Sequence, residues 1–347
     1  MGDSSPPGVA VMGGQWAVGV GQWGAMLLLM GTALGSCVAD ETPGAELVVL
    51  VGAPGTPDYE ALFRKWADQW TTAAKTSRAT STIIGLDAGS SSDRDRIEQF
   101  FQNTATTGSR ELWFVLIGHG TFDRRLAKFN LRGPDVSTDD FKTWLKRIER
   151  PLVLIDTSAA SAPFLTQLAG PNRVIITATK SGSEQNFARF GGFLAEALVD
   201  SSSDLDKDEQ ISLWEAFLAG SRRTAAWYKD EGRLQTEHAL LDDNGDGQGT
   251  RADAFDGLDP VKASADQSKL DGSRAHQRHL VPSAEEAQLS PEIRQQRDAI
   301  ELQILDLRGK KASLPEDEYF DRLEALLIEL TRLSRKHGVK QSPAAAR

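Results

Sequence analysis

Three groups of residues have the types and spacing to do chemistry. His119 stands between Gly118 and Gly120 just past the apolar run 112–117, in a chain with five histidines. An imidazole titrates close to neutrality, so at that place it is a candidate general base. About forty residues on, the run 152–155 closes in Asp156-Thr157-Ser158, an acid, a small residue and a hydroxyl able to act as nucleophile. The third group is acidic: Asp204, Asp206 and Asp208 alternate ahead of Ile211, Ser212 and Glu215, and Asp242, Asn244 and Asp246 repeat the alternation before Gly247. Oxygen ligands at the first, third, fifth and twelfth places of a loop are the EF-hand spacing, which holds Ca2+. In the first loop Glu209 occupies the place where the turn calls for glycine, and in the second the twelfth residue is the shorter Asp253. Plainer alternatives stay open for both. Carboxylates are favourable at a helix start, and Asn-Gly and Asp-Gly form ordinary turns.

The elements that must position these groups are written in the hydrophobic pattern. Short apolar runs at 45–52, 81–86, 111–118, 151–156 and 173–179 read as five strands. Between them lie amphipathic stretches at 59–74, 93–103 and 138–149, and a short helix around 164–168. Ser137 and Asp140 make a capping-box-like start to the third of these. Strands apolar on both faces, alternating with helices, predict an α/β fold: a three-layer α/β/α sandwich with a mostly parallel sheet. In such a sheet ligands bind beyond the carboxyl ends of the strands, which is where His119 and Ser158 both fall.

The chain divides into a leader and linker (1–44), the α/β domain with its acidic loops (45–250), a polar stretch without periodicity that reads as linker or disorder (251–289), a helical hairpin (290–337) and a disordered tail (338–347). The hairpin's first helix opens with Ser290 as N-cap and Pro291 in the first turn, and puts Ile293, Ile300, Ile304 and Leu307 on one face. Its second carries Leu323, Leu326, Leu327, Leu330 and Leu333. Each stripe needs a partner: the other helix, the domain, or another protein.

With 347 residues and a net charge of −10, the chain has no means of neutralising a row of phosphates, so a nucleic-acid partner is excluded. The run Val51-Gly52-Ala53-Pro54-Gly55 lacks the Gly-Lys-Ser/Thr of a phosphate-binding loop. Cys37 is the single cysteine, which rules out an intrachain disulfide. It follows Leu34-Gly35-Ser36, and this tetrad resembles the lipobox of bacterial lipoproteins, whose cysteine is acylated. The expectation is export to the cell envelope or periplasm as a lipoprotein with membrane attachment at Cys37, and a cytoplasmic protein otherwise. No Lys or Arg precedes Arg64, so the positive start expected of an export leader is missing; either the chain starts elsewhere, with Met12 and Met26 as candidates, or the match is accidental.

The order His-Gly, then acid-small-nucleophile at the end of the next strand, resembles the caspase–legumain group of cysteine peptidases, most nearly the legumain family, over 45–247. The resemblance implies a caspase-like fold. It puts His119 and Gly120 at the family's His-Gly, Asp156 at the acidic place, Thr157 at the small residue and Ser158 at the nucleophilic cysteine, with Ser181 and Glu184 lining the substrate cleft. Here the thiol is replaced. A free thiol supplies a few per cent thiolate at neutral pH, whereas a serine needs a base held in place by a third group. The expectation is a degenerate peptidase that binds peptide or protein. An active endopeptidase using Ser158 with His119 as base is one alternative, and an envelope scaffold acting through the helical hairpin is another.

Overall fold

The computed structural model describes residues 44–87, 92–260 and 271–337. The lipobox with Cys37 and the tail beyond 337 lie outside the described residues. The strands are β1 (Glu46–Val51), β2 (Thr80–Ile84), β3 (Leu112–Ile117), β4 (Gly120–Phe122), β5 (Ala127–Phe129), β6 (Val136–Ser137), β7 (Leu152–Asp156), β8 (Arg173–Thr177), β9 (Leu240–Asp242), β10 (Phe255–Asp256) and β11 (Asp259–Pro260). The helices are α1 (Pro57–Thr76), α2 (Asp93–Asn103), α3 (Thr138–Leu145), α4 (Ala162–Leu168), α5 (Phe190–Ala197), α6 (Leu213–Asp230), α7 (Ser273–His276), α8 (Pro291–Gly309) and α9 (Glu316–His337).

The central sheet has the order β2-β1-β3-β7-β8-β9. Its first five members run parallel, and β9 pairs antiparallel to β8. The expected three-layer arrangement and the C-terminal helical region are both present. Strand alternation sorts the core into two halves. Val49, Val115, Ile155 and Ile176 face Phe63, Trp66, Phe190 and Phe217 of α1, α5 and α6. Val48, Phe114, Leu154 and Ile175 face Ile97, Phe101, Phe141 and Phe164 of α2, α3 and α4. Because both faces are covered, these strands read as continuous apolar runs. Helix starts follow their signals: Ser137 and Asp140 close a capping box on α3, and Ser290 caps α8 ahead of Pro291.

Between β3 and α3 the chain forms a small antiparallel sheet, β4-β5-β6, which the pattern does not announce because its strands are two or three residues long. Helix α5 also departs from expectation. Its Gly191 and Gly192 are poor helix formers, yet an added Cβ would stand 2.5 Å from the Thr157 side chain and 2.5 Å from the Trp66 indole nitrogen, so close packing on the sheet requires them. In the stretch that reads as linker, the described residues 251–260 and 271–289 pack onto the domain. Ala275 and Leu280 are buried in the core, and Asp271 and Asp243 tie the two ends together. The buried anchors there are few and mostly polar, which is why no apolar period marks them. The hairpin closes on itself through Ile300, Ile304 and Leu330, with Leu323, Leu326 and Leu333 packed around them. Gln277 donates to the Asp298 carbonyl at 2.9 Å, docking α8 beside α7.

Candidate functional site

Strands β3 and β7 are adjacent and parallel, with Leu116 opposite Asp156. The residues following them therefore emerge side by side at the carboxyl rim of the sheet. Thr157 fixes the join: its N–H and its hydroxyl both donate to the Leu116 carbonyl, at 3.0 and 2.7 Å. His119 and Ser158 thus arise from neighbouring strand ends, as their spacing predicts.

The side chains are nonetheless engaged elsewhere. The half-buried His119 ring sits among Tyr59, Phe63 and Phe187, with centroids 4.8, 5.3 and 5.8 Å away and edge-on geometry. Its Nε2 lies 3.2 Å from the Pro54 carbonyl oxygen. That contact is a hydrogen bond only if Nε2 carries the proton, which leaves the lone pair on Nδ1. Ser158 is 1 % exposed, and its hydroxyl donates to the Ala159 carbonyl at 3.3 Å. No hydrogen bond joins His119 to Ser158.

Gly120 explains the burial of the serine. A Cβ there would stand 2.5 Å from Ser158 Oγ and 2.4 Å from the Ala159 carbonyl oxygen, so the strand after the histidine runs directly against the hydroxyl. Gly118 is similarly confined: a Cβ there would stand 2.8 Å from the Phe129 ring. Neither glycine has a positive φ. Close approach, and not a sharp turn that would open the imidazole, is what these two positions require.

Asp156 is fully buried. Its Oδ1 accepts the Ser158 N–H at 2.9 Å, while Oδ2 has no hydrogen-bond partner. Burial raises its carboxyl to about 6. The Ser158 amide is thereby engaged by this carboxylate. Glu184 acts as a brace. Its backbone carbonyl accepts the Ala160 N–H at 2.7 Å, and its carboxylate accepts the Lys180 N–H at 2.9 Å and lies 2.5 Å from His238 Nδ1. Ser181 pairs with Ser183, hydroxyl to hydroxyl, at 2.7 Å on the exposed side. His238 is a participant that sequence reasoning missed, since it meets Glu184 from 54 positions away with no local motif.

The two acidic loops fold alike. In the first, Asp204 accepts N–H bonds from Lys207 and Glu209, Asp206 from Asp208, and Asp208 from Gln210. In the second, Asp242 accepts from Gly245 and Gly247, Asn244 from Asp246, and Asp246 from Gln248. The fourth and sixth positions have positive φ in both, at 63° and 71° for Lys207 and Glu209, and at 82° and 74° for Gly245 and Gly247. Glu209 thus adopts the turn despite its Cβ. The carboxylates of Asp204, Asp206 and Asp208 each offer an oxygen within 4.8 Å of the others. Burial, together with the neighbouring charges of Asp208, Glu215 and Asp204, raises Asp206 to about 7. Glu215 caps α6: its Oε2 accepts from the Ser212 N–H at 2.9 Å and its Oε1 from the Leu205 N–H at 2.7 Å. In the second loop Thr250 bonds Asp271 at 2.7 Å and Asp253 pairs with Arg251 at 3.1 Å.

No protein-family model matches the chain, and no curated protein matches it. Among solved structures it is similar to the Drosophila initiator caspase Dronc, at 14 % identity and a TM-score of 0.38, over 59 % of this chain and 81 % of that one. It is similar also to caspase-1 from Spodoptera frugiperda, at 9 % identity and a TM-score of 0.38, over 58 % of this chain and 87 % of that one. A third likeness is to Chaetomium thermophilum Raptor, at 10 % identity and a TM-score of 0.32, over 85 % of this chain and 25 % of that one. At such scores the likeness carries no weight of its own, and the fold assignment rests on the chain's own strand order and register.

Proposed function

We propose that this chain is a peptidase-fold protein of the caspase–legumain type that binds peptide or protein at the rim beyond β3 and β7 without efficient hydrolysis. The observation that carries the reading is the state of Ser158. The residue is buried, capped by Gly120 and bonded to Ala159, with its amide spent on Asp156. An acyl carbon must come within about 3–3.5 Å of a nucleophile to react, and Ser158 is 1 % exposed with its Oγ packed against Gly120. A serine hydroxyl also needs a base in contact with it; His119 is held through Nε2 by the Pro54 carbonyl and makes no hydrogen bond to Ser158, whose hydroxyl goes to Ala159. What the rim offers a ligand is an aromatic shelf of Tyr59 and Phe187, both half-buried, with ring centroids 4.6 Å apart.

Two measurements test the two halves. A hydroxyl-directed fluorophosphonate probe is expected to leave the protein unlabelled, and stoichiometric labelling that vanishes in Ser158→Ala would establish the active-serine alternative. Selection from a displayed random peptide library is expected to enrich sequences whose capture is lost in Tyr59→Ala. Failure to enrich any peptide would remove the binding half.

A second reading, interaction through the hairpin, is favoured by the outer face of α9, where Phe320, Leu327 and Ile328 are 49, 36 and 42 % exposed. An Ile328→Glu protein with unchanged mass by light scattering and unchanged partners would count against it.

A further inference from the structure

The first acidic loop takes no part in the rim, and its ligand chemistry is independent of the reading above. Beyond the spacing of its carboxylates, one oxygen is out of place for a loop that serves only as a turn. The Asp206 side chain is 3 % exposed, and its Oδ2 is buried without a hydrogen-bond partner. One of its carboxylate oxygens belongs to the cluster in which Asp204, Asp206 and Asp208 each offer an oxygen within 4.8 Å of the others. Buried carboxylates are ordinarily paired, hydrogen-bonded or metal-bound. His276 Nε2 lies 3.4 Å from this Oδ2, an ion pair only when the imidazole is protonated and not a hydrogen bond. The Lys207 ammonium goes to the Asp204 carbonyl and not to a carboxylate.

We propose that this loop binds one divalent cation of the calcium class through the carboxylates of Asp204, Asp206 and Asp208. Hard oxygen donors, with no thiolate among them, select calcium or magnesium over softer metals. A turn that adopts the EF-hand conformation, with the Gln210 carbonyl at the seventh place, suits the larger ion, since magnesium demands a near-ideal octahedron and keeps more of its water. A cation here would neutralise the crowded carboxylates and fasten the segment between α5 and α6. The second loop serves as an internal control. It has the same turn, but an asparagine at the third place and no buried oxygen without a partner among Asp242, Asn244 and Asp246.

The test is calorimetric titration of the chelator-treated full chain with calcium chloride, then with magnesium chloride. The expected result is one saturable equivalent of calcium with Kd on the order of 10⁻⁴ M or tighter, and magnesium about tenfold weaker or more. Asp206→Asn keeps an acceptor for the Asp208 N–H and is expected to weaken calcium binding about tenfold or more, whereas Asp246→Asn leaves it unchanged. In chelator, Asp206→Asn should melt at or above the wild-type temperature, because a repelling charge has gone. No heat and no melting shift with millimolar calcium would overturn the proposal. So would binding that survives in the Asp206→Asn/Asp208→Asn double variant, or a lower melting temperature of Asp206→Asn in chelator.

Discussion

Replacing Asp156 by asparagine exchanges a fully buried carboxylate for a neutral group of the same shape at the end of β7. In the native fold Oδ1 accepts the Ser158 N–H at 2.9 Å and Oδ2 has no partner, and burial raises the carboxyl from 3.8 to about 6. A shift of about two units corresponds to about 3 kcal/mol of penalty for carrying the charge folded. The sign follows from proton binding. Between about pH 4 and 6 the folded chain holds a proton that the unfolded chain has lost, so this group's contribution to stability falls as pH rises through that window. Asparagine does not titrate. It keeps the acceptor for Ser158, and its amide N–H, facing the place of the orphan oxygen, costs about 1–3 kcal/mol at every pH. That constant cancels when the variant and the parent are compared at two pH values. The stability difference, variant minus parent, should therefore move in the variant's favour by about 2 kcal/mol between about pH 4.5 and 7.5. Urea melts of both proteins at the two pH values measure it, provided the slopes agree. A pH-independent difference would refute the argument, since it would mean that the carboxyl is hydrated or paired and the strand end is open to water.

Three further outcomes follow from the geometry. Gly120→Ala drives a methyl group to 2.5 Å from Ser158 Oγ and 2.4 Å from the Ala159 carbonyl, and should cost about 1–3 kcal/mol in a denaturant melt; no loss would mean that the serine is not capped. Glu209→Gly, at φ 71°, should gain up to about 1 kcal/mol in chelator, and a loss in the same melt would place Glu209 in a stabilising contact that outweighs its backbone strain. Cys37→Ser should abolish incorporation of a fatty-acid label and detergent-phase partitioning if the lipobox is used, and label retained in the variant would dismiss that reading.

Much of this architecture is local and so was legible in the chain alone. Five apolar runs became the five parallel strands, four of them covered on both faces and so without alternation, and the fifth, β2, at the exposed edge. Ser137 with Asp140 and Ser290 with Pro291 marked helix starts, because capping is a matter of three or four consecutive residues. The same logic brought His119 and Ser158 to one rim, since a strand's end delivers whatever follows it. Other features depend on residues that meet only after folding. Helix α5 was hidden by Gly191 and Gly192, which serve the approach of Thr157 and Trp66. Strand β9, which pairs antiparallel with β8 at the sheet edge, carries only three residues. The Glu184–His238 brace and the tie of Asp243 to the start of α7 join segments far apart in the chain. The tertiary structure alone decided that Gly120 seals the serine and that Asp206 carries a buried oxygen with no hydrogen-bond donor. Residue type and spacing determine which groups arrive at a place. Their exposure and protonation are determined by what packs over them, and that is a property of the assembled fold.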